Sequence, residues 1–318
     1  MSCSNPRRTR FVCSTSAVLL LIAVGAGAGP VAAQIQADET TIGVLAALLA
    51  ASDARRFDAA PLREALSHAN PAVRRQGALA AGRMGDAAAV DFLLPALNDS
   101  SRYVQAGAAF ALGVLKDARA IPALLLSARD TQVEAVTAIA KIGGDEGARA
   151  LGEIIASGSP DVASAVVDQA LLEAWRLSGR APVNQLVRFA EARTPGTRWR
   201  ALYSLARLRA AGAAPLLIRA LSDQDPQIRA VAARGITRAL LDSARVDPRG
   251  AVDALRPLLE DPDAQIRVNA VRALASLRDS SVAGAVAPLA ADRGIGVAGL
   301  AESTLGVIRG GAGLEAQP

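Results

Sequence analysis

Cysteine is absent after position 13: the only two, Cys3 and Cys13, lie at the extreme N-terminus. The remainder has no disulfide, no thiol nucleophile and no thiolate metal ligand, so packing alone must hold it together. Histidine occurs once, at His68. Metal sites and Ser/His/Asp arrangements need partners that His68 lacks nearby in the sequence. Lysine is limited to Lys116 and Lys141, and aromatic residues make up 3% of the chain. So few aromatics suit thin, repeated layers better than one thick core. No stretch alternates with period two for long enough to make a sheet.

The excess of basic residues is also smaller than it looks. The chain has 35 Lys+Arg against 30 Asp+Glu. Three of the arginines fall in residues 1–33, which contain no acid, leaving an excess of two beyond them. A near-neutral balance gives no general attraction to nucleic acid.

Residues 1–33 read as an export signal. Arg7, Arg8 and Arg10 form a basic start, Phe11 to Gly29 is almost wholly apolar, and Val31-Ala32-Ala33 supplies small residues before Gln34. That is the secretory pattern. An uncleaved membrane anchor is the alternative, because the apolar run approaches the ~20 residues a spanning helix needs. Arg7-Arg8 hints at twin-arginine export, although Phe11 sits one place late for that motif. With cleavage, no stable membrane span is expected, and the product is placed in the periplasm or outside the cell.

From about 57 to 308 one pattern recurs. An apolar amphipathic helix is followed by a turn with Asp, Asn, Ser or Pro, then by an Ala-rich helix. The clearest copies place Asn70-Pro71-Ala72-Val73-Arg74 after Leu62–Leu66, and Asp99 after Leu93–Leu97. Asp225-Pro226-Gln227-Ile228-Arg229 follows Leu216–Leu221, and Asp261-Pro262 with Ile266-Arg267 follows Leu255–Leu259. Weaker copies lie near 117–143, 145–177 and 180–209, and a degenerate one near 281–308. Leu66 to Leu97 and Arg207 to Arg238 are both steps of 31. An insertion, Asp242 to Gly250, breaks the period before the seventh full unit.

The Asp or Asn before each Pro is expected to cap the second helix, with Pro in its first turn. Gly82, Gly85, Gly113 and Gly143 are read as sitting at or near helix ends. Each Arg after Val or Ile is expected to form a ladder between units, since a catalytic pair is needed once and this one recurs. The expected fold is an all-α, right-handed α-solenoid of about eight helical hairpins after a signal peptide. Residues 34–56 would form an N-terminal capping helix and 309–318 a flexible tail.

The D-P-x-I-R string before an Ala-rich helix resembles the HEAT repeat, in the short form also called phycobilisome-lyase-like. The resemblance covers about 57–308. Units near 117–143, 145–177 and 180–209 depart from it by lacking the Val/Ile-Arg dipeptide. It implies a non-catalytic scaffold that binds protein or peptide, with no cofactor and no metal. The layout is also similar to the N-terminal half of exported bacterial proteins that carry a cyclophilin-type prolyl isomerase after such repeats. That implies, as an alternative, an accessory arm of a folding or envelope enzyme.

Two features point to a partner surface. Trp175, Trp199 and Tyr203 cluster with Phe189 between them, and Trp199, Arg200 and Tyr203 fall three or four places apart on one second helix. Trp, Tyr and Arg are common interface anchors; the other reading is that they fill volume in weak repeats. Arg83, Lys141, Arg176, Arg207 and Arg238 line up as the penultimate residues of second helices, with Val114 and Ser276 interrupting. The column reads either as complementation of helix dipoles or as a basic stripe for an acidic segment. At the C-terminal end, the Gly-rich unit 294–308 has no polar cap, so continuation of the chain or cover by a second molecule is expected.

Exported protein is expected to begin at Gln34. N-terminal sequencing checks this, and an intact Met1 in the membrane fraction is the contrary result.

Overall fold

A computed structural model describes residues 39–130 and 132–315, with side chains through 308. The export signal and its cleavage point therefore lie outside the described residues, as does the end of the expected tail. The described chain is helical, and its only bridge of strand type is the isolated Ser159–Val162 pair.

A single helix, α1 (Glu39–Asp53), opens the array. Then come hairpins: α2 (Ala59–Leu66) with α3 (Pro71–Met84), α4 (Val90–Ala96) with α5 (Arg102–Leu115), and α6 (Ile121–Arg129) with α7 (Val133–Ile142). They continue with α8 (Gly144–Ala156) and α9 (Ala165–Glu173), α10 (Val183–Phe189) and α11 (Pro195–Leu208), and α12 (Ala214–Ala220) and α13 (Pro226–Gly235). An extra helix, α14 (Arg238–Ala244), precedes α15 (Pro248–Leu255) with α16 (Ala264–Leu277), and α17 (Ala283–Val286) with α18 (Val297–Glu315) ends the array. The eight hairpins agree with the count read from the repeats. The last helix runs into the segment expected to be a tail.

The second helices pack in succession, α1 on α3, then α5, α7, α9, α11, α13, α16 and α18. We call this layer inner, because the hollow described below opens on it. One apolar core runs the length of the stack, from Val44 to Ile308. No single pair could bury its own apolar face, so each unit is stabilised by its neighbours. Close approach of the inner helices explains the alanine. A Cβ at Gly82 would stand 3.0 Å from Ala111 Cα, and one at Gly113 would stand 2.9 Å from Ala138 Cα. These two glycines lie in the last turns of α3 and α5, near the helix ends as expected, but they serve as contact points and do not stop the helices. The stops are Gly85 (φ 75°), Gly143 (φ 68°) and, with side chains, Lys116, Arg209 and Arg278 in the left-handed region.

The ladder expected from the repeated Arg is present. Arg74 donates from Nε and Nη2 to the Asp99 carboxylate at 2.7 and 2.8 Å, and from Nη1 to the carbonyls of His68 and Ala69. Arg198 makes the same set with Asp223 and the carbonyls of Ala192 and Arg193. Arg229 reaches Asp261 at 2.8 Å and its own loop at Asp223 and Gln224. Arg267 reaches Asp292 at 2.8 Å and the carbonyls of Asp261 and Pro262. Each guanidinium therefore ties its own loop to the loop of the next unit. The Arg74 guanidinium holds the Asp99 carboxyl below the usual carboxylate range, and Arg267 does the same to Asp292.

Three details differ from the sequence reading. The unit at 180–209 does carry the ladder Arg, Arg198, with Thr197 in place of Val or Ile. Asp261 is not a cap. It accepts from Arg229, while Asp263 caps α16 through Gln265 N–H at 2.7 Å, because Pro262 lies outside the helix. Gln105 holds the ladder position in α5 and reaches back to the Asp99 carbonyl at 2.6 Å. It has no guanidinium to send forward, and its Oε1 is buried without a partner.

Arg229→Ala should remove about 2–4 kcal/mol, because it strands a buried carboxylate and two loop carbonyls. Arg229 and Asp261 side chains are 17% and 4% exposed. Arg129→Ala breaks a pair whose side chains are 61% and 50% exposed and should cost less than about 1 kcal/mol. Urea unfolding of the two variants checks the contrast.

Candidate functional site

A hollow of about 1270 Å³ opens on the inner layer across α11, α13 and α16. One end is walled by Trp175, Trp199, Tyr203 and Arg207. Trp175 stands in the 3-10 segment Ala174–Arg180 that continues α9. Trp199, Tyr203 and Arg207 are four residues apart along α11 and so share one face. The Arg207 guanidinium lies 3.6 Å from the Trp175 ring centroid, and its Nη1 donates to the Tyr203 hydroxyl at 3.3 Å. Trp199 and Tyr203 stack at 5.5 Å with 24° between their planes. The wall is thus a pre-arranged block in which rings hold a cation in place.

Farther along, α13 contributes Gln227 and Arg234, and α16 contributes Gln265, Asn269 and Arg272. Asn269 is structural. Its Nδ2 donates to the Ala230 carbonyl at 3.1 Å, joining α16 to α13, and its Oδ1 accepts from Gln265. Four arginines, Arg207, Arg209, Arg234 and Arg272, line the hollow, and no lining residue is Asp or Glu. None of the four is ion-paired with a described carboxylate. The ladder arginines, by contrast, are all paired.

The structure therefore brings together Trp175, Trp199, Tyr203 and Arg207 from the expected cluster and leaves two residues out. Arg200 turns to α9, donating to the Gly196 carbonyl at 2.8 Å and standing 3.7 Å from Asp168. It shares a helix with Trp199 but not the groove, because one residue along a helix is a 100° rotation. Arg238 is not the penultimate residue of a second helix. The second helix expected to carry Arg238 ends at Gly235, where a Cβ would stand 2.8 Å from Ala206 Cβ. Ile236 is extended, Thr237 caps Leu240 N–H at 3.2 Å, and Arg238 opens α14 paired with Asp242. The basic column accordingly holds at Arg83, Lys141 and Arg207 in the last turns of α3, α7 and α11. It fails at Arg238, and Arg176 sits beyond α9 on the Trp175 ring and Glu173.

Arg234, Arg272, Gln227 and Gln265 were missed by sequence reasoning. The signal was present: Arg234 is 31 residues after Tyr203, and Arg272 is 38 after Arg234, the same step that separates Arg229 from Arg267. They face the position of Tyr203 in successive units. His68, for its part, accepts from Asn70 N–H at Nδ1 (3.0 Å) and meets Thr41 Oγ1 through Nε2 (3.2 Å), which ties α1 to the first loop. Among the described residues no three His, Cys, Asp or Glu side chains converge as metal ligands, and no helix is long and apolar enough to cross a membrane.

Arg207→Ala should expose the Trp175 face, so the fluorescence maximum should move to longer wavelength. Stability should fall by no more than about 1–2 kcal/mol, the range for a cation over a ring. Emission spectra and thermal melts measure both.

Comparison with known proteins agrees with this architecture. The model for HEAT repeats matches residues 59–141, 90–172 and 214–306, and that for the PBS lyase HEAT-like repeat matches 197–223. No curated protein matches the chain. Among solved structures, an engineered protein is 18% identical, with 85% of this chain and 86% of that one covered at a TM-score of 0.47. YibA of Escherichia coli is 15% identical, with 87% and 99% covered and a TM-score of 0.46. Human deoxyhypusine hydroxylase, solved with glycerol, is 20% identical, with 85% and 99% covered at 0.33. With the HEAT model matched over more than half of its length, the chain belongs to the HEAT-repeat family.

Proposed function

We propose that this chain is a non-catalytic scaffold that works after export and holds an acidic polypeptide segment in the groove across α11, α13 and α16. The observation that carries the reading is the lining: four arginines, no carboxylate, and no internal ion pair for those arginines. All four arginines are exposed, so in the free protein water compensates charges that no described carboxylate of the chain meets. Carboxylates of a partner supply that compensation as charge-assisted hydrogen bonds.

A polypeptide fits better than a single-stranded nucleic acid. Base-binding grooves offer open ring faces for stacking. Here Trp175 lies under Arg207, and Trp199 is stacked on Tyr203. Gln227 and Gln265 each carry a donor and an acceptor, which suits the alternating N–H and C=O of an extended backbone. The near-neutral charge outside residues 1–33 limits the attraction to this surface. Export is supported by the basic, apolar and small-residue pattern of residues 7–33.

Fluorescein-labelled decaglutamate is expected to bind the purified protein, and binding should weaken as salt rises. Arg234→Ala with Arg272→Ala should lower its affinity at least tenfold, on the order of 1.5–3 kcal/mol for each charged hydrogen bond lost. Fluorescence anisotropy measures the affinity. Equal binding of decaglutamate and a ten-residue thymidine oligonucleotide, or an unchanged affinity in the double variant, would refute the acidic-peptide reading.

A further inference from the structure

A second surface lies on the inner layer, on α5, three units before α11. Few large apolar side chains are exposed among the described residues, and α5 alone supplies Tyr103, Phe110 and Val114, at 65%, 50% and 44%. They are seven and four residues apart, which puts all three on one helix face. The opposite face of α5, with Val104, Ala108, Ala111 and Leu112, is buried in the core. A helix on the edge of a core ordinarily has polar residues on its outer face, and three bulky apolar ones there require another reason.

The repeat register says where this face points. Helices α5 and α11 are both 14 residues long and both end on a left-handed residue, Lys116 and Arg209. Aligned on those ends, Phe110 takes the place of Tyr203, Val114 that of Arg207, and Tyr103 that of Gly196. One unit on, Gly196 is replaced by Gln227, 31 residues later, which lines the groove. The α5 face thus belongs to the same working surface as the groove, with apolar groups where the groove has polar and cationic ones.

Two cations frame it. The Lys141 stem crosses Gly113, with Cδ 3.4 Å from where a Cβ would stand, and its ammonium lies 4.6 Å from the Phe110 ring centroid. On the other side, Arg83 is exposed in the last turn of α3, 31 residues before Val114. Neither Arg83 nor Lys141 is ion-paired with a described carboxylate.

We propose that the α5 face is a second docking site, for a short polypeptide segment that carries a bulky apolar side chain between acidic residues. The apolar side chain packs on Phe110 and Val114, and the flanking carboxylates meet Arg83 and Lys141. The site draws on the scaffold reading only for its class of partner; its residues and its test are separate from those of the arginine groove.

Two labelled peptides of equal length and charge, Glu-Glu-Phe-Leu-Glu-Glu and Glu-Glu-Gly-Ser-Glu-Glu, provide the test on the full chain. The apolar peptide should bind at least tenfold more tightly. Phe110→Ser with Val114→Ser should abolish that advantage, while Arg234→Ala with Arg272→Ala should leave it intact. Circular dichroism melts establish that each variant folds. Should the serine pair unfold, Lys141→Glu serves in its place and should weaken the apolar peptide at least fivefold. Equal affinity for the two peptides overturns the proposal, as does loss of the advantage in the groove variant alone. Self-association or binding to phosphatidylglycerol vesicles that disappears in the serine variant, with the peptide advantage unchanged, also overturns it by assigning the face to a second copy or a lipid. A failed groove reading looks different: decaglutamate ignores Arg234→Ala with Arg272→Ala, and the apolar peptide still responds to Phe110→Ser with Val114→Ser.

Discussion

The bridge from an inner-helix arginine to the loop aspartate of the next unit sets the register at four junctions, after α3, α11, α13 and α16. Hydrophobic stacking is stronger in sum but has no direction; it would accept neighbouring units in several registers. The bridge does not. Arg198, Arg229 and Arg267 each fix two carbonyls of their own loop and the carboxylate of the following loop. That carboxylate in turn accepts a backbone N–H two residues on, as Asp223 does from Asp225, Asp261 from Asp263 and Asp292 from Gly294. Loop shape, helix start and unit spacing are set by one shared group. Because each carboxylate meets a guanidinium and a backbone N–H, the buried charges avoid the penalty an isolated one would carry.

The same accounting separates structure from function among the arginines. Those in the ladder are satisfied within the chain, and exposed pairs such as Arg180–Asp145 add little. Among the arginines outside both groups, Arg207, Arg209, Arg234 and Arg272 are gathered on one hollow whose lining has no acid. In a chain with almost balanced charge, such a gathering reflects how the repeats are arranged, since net composition does not demand it. The aromatic block beside it fits the volume-filling reading of the sequence and also lines the hollow. Trp199 is half-buried against the core, so it fills volume, and it also walls the groove with Tyr203.

Much of this was legible in the sequence, and the failures share a cause. Fold class, number of hairpins, capping by Asn70 and Asp225, and the arginine ladder all follow from local spacing that repeats. Groove membership does not. It depends on which side of an inner helix a residue takes, and a shift of one place, from Trp199 to Arg200, moves the side chain from the hollow to Asp168. Arg238 misled because a step of 31 from Arg207 matched the period while the helix had already ended. At the break Gly235 has no room for a Cβ between Ala206 of the preceding unit and Leu217 of its own, a packing that local periodicity does not reveal. Gln105 was legible in principle as a non-Arg at a ladder position, but its orphaned Oε1 appears only once the loop is folded.

The insertion shows how the inner-layer packing survives a change in period. Between Arg74 and Asp99, Arg198 and Asp223, and Arg267 and Asp292 the bridge spans 25 residues; between Arg229 and Asp261 it spans 32. Seven additional residues must therefore be absorbed without altering the bridge. They are absorbed away from the inner layer, by ending α13 early and adding α14, which packs on α12 and on the 3-10 turn Ala211–Ala213. On the inner layer α13 still packs directly on α16, and Asn269 still reaches the Ala230 carbonyl. Arg234 and Arg272 consequently keep equivalent places on adjacent helices despite the 38 residues between them. A lengthened unit that kept its bridge on the inner side would leave the groove continuous, and one that lost it would split the groove between Gln227 and Gln265. The Arg229–Asp261 bridge thus keeps α13 and α16 in register across the longer unit, with Arg234 and Arg272 lining one hollow.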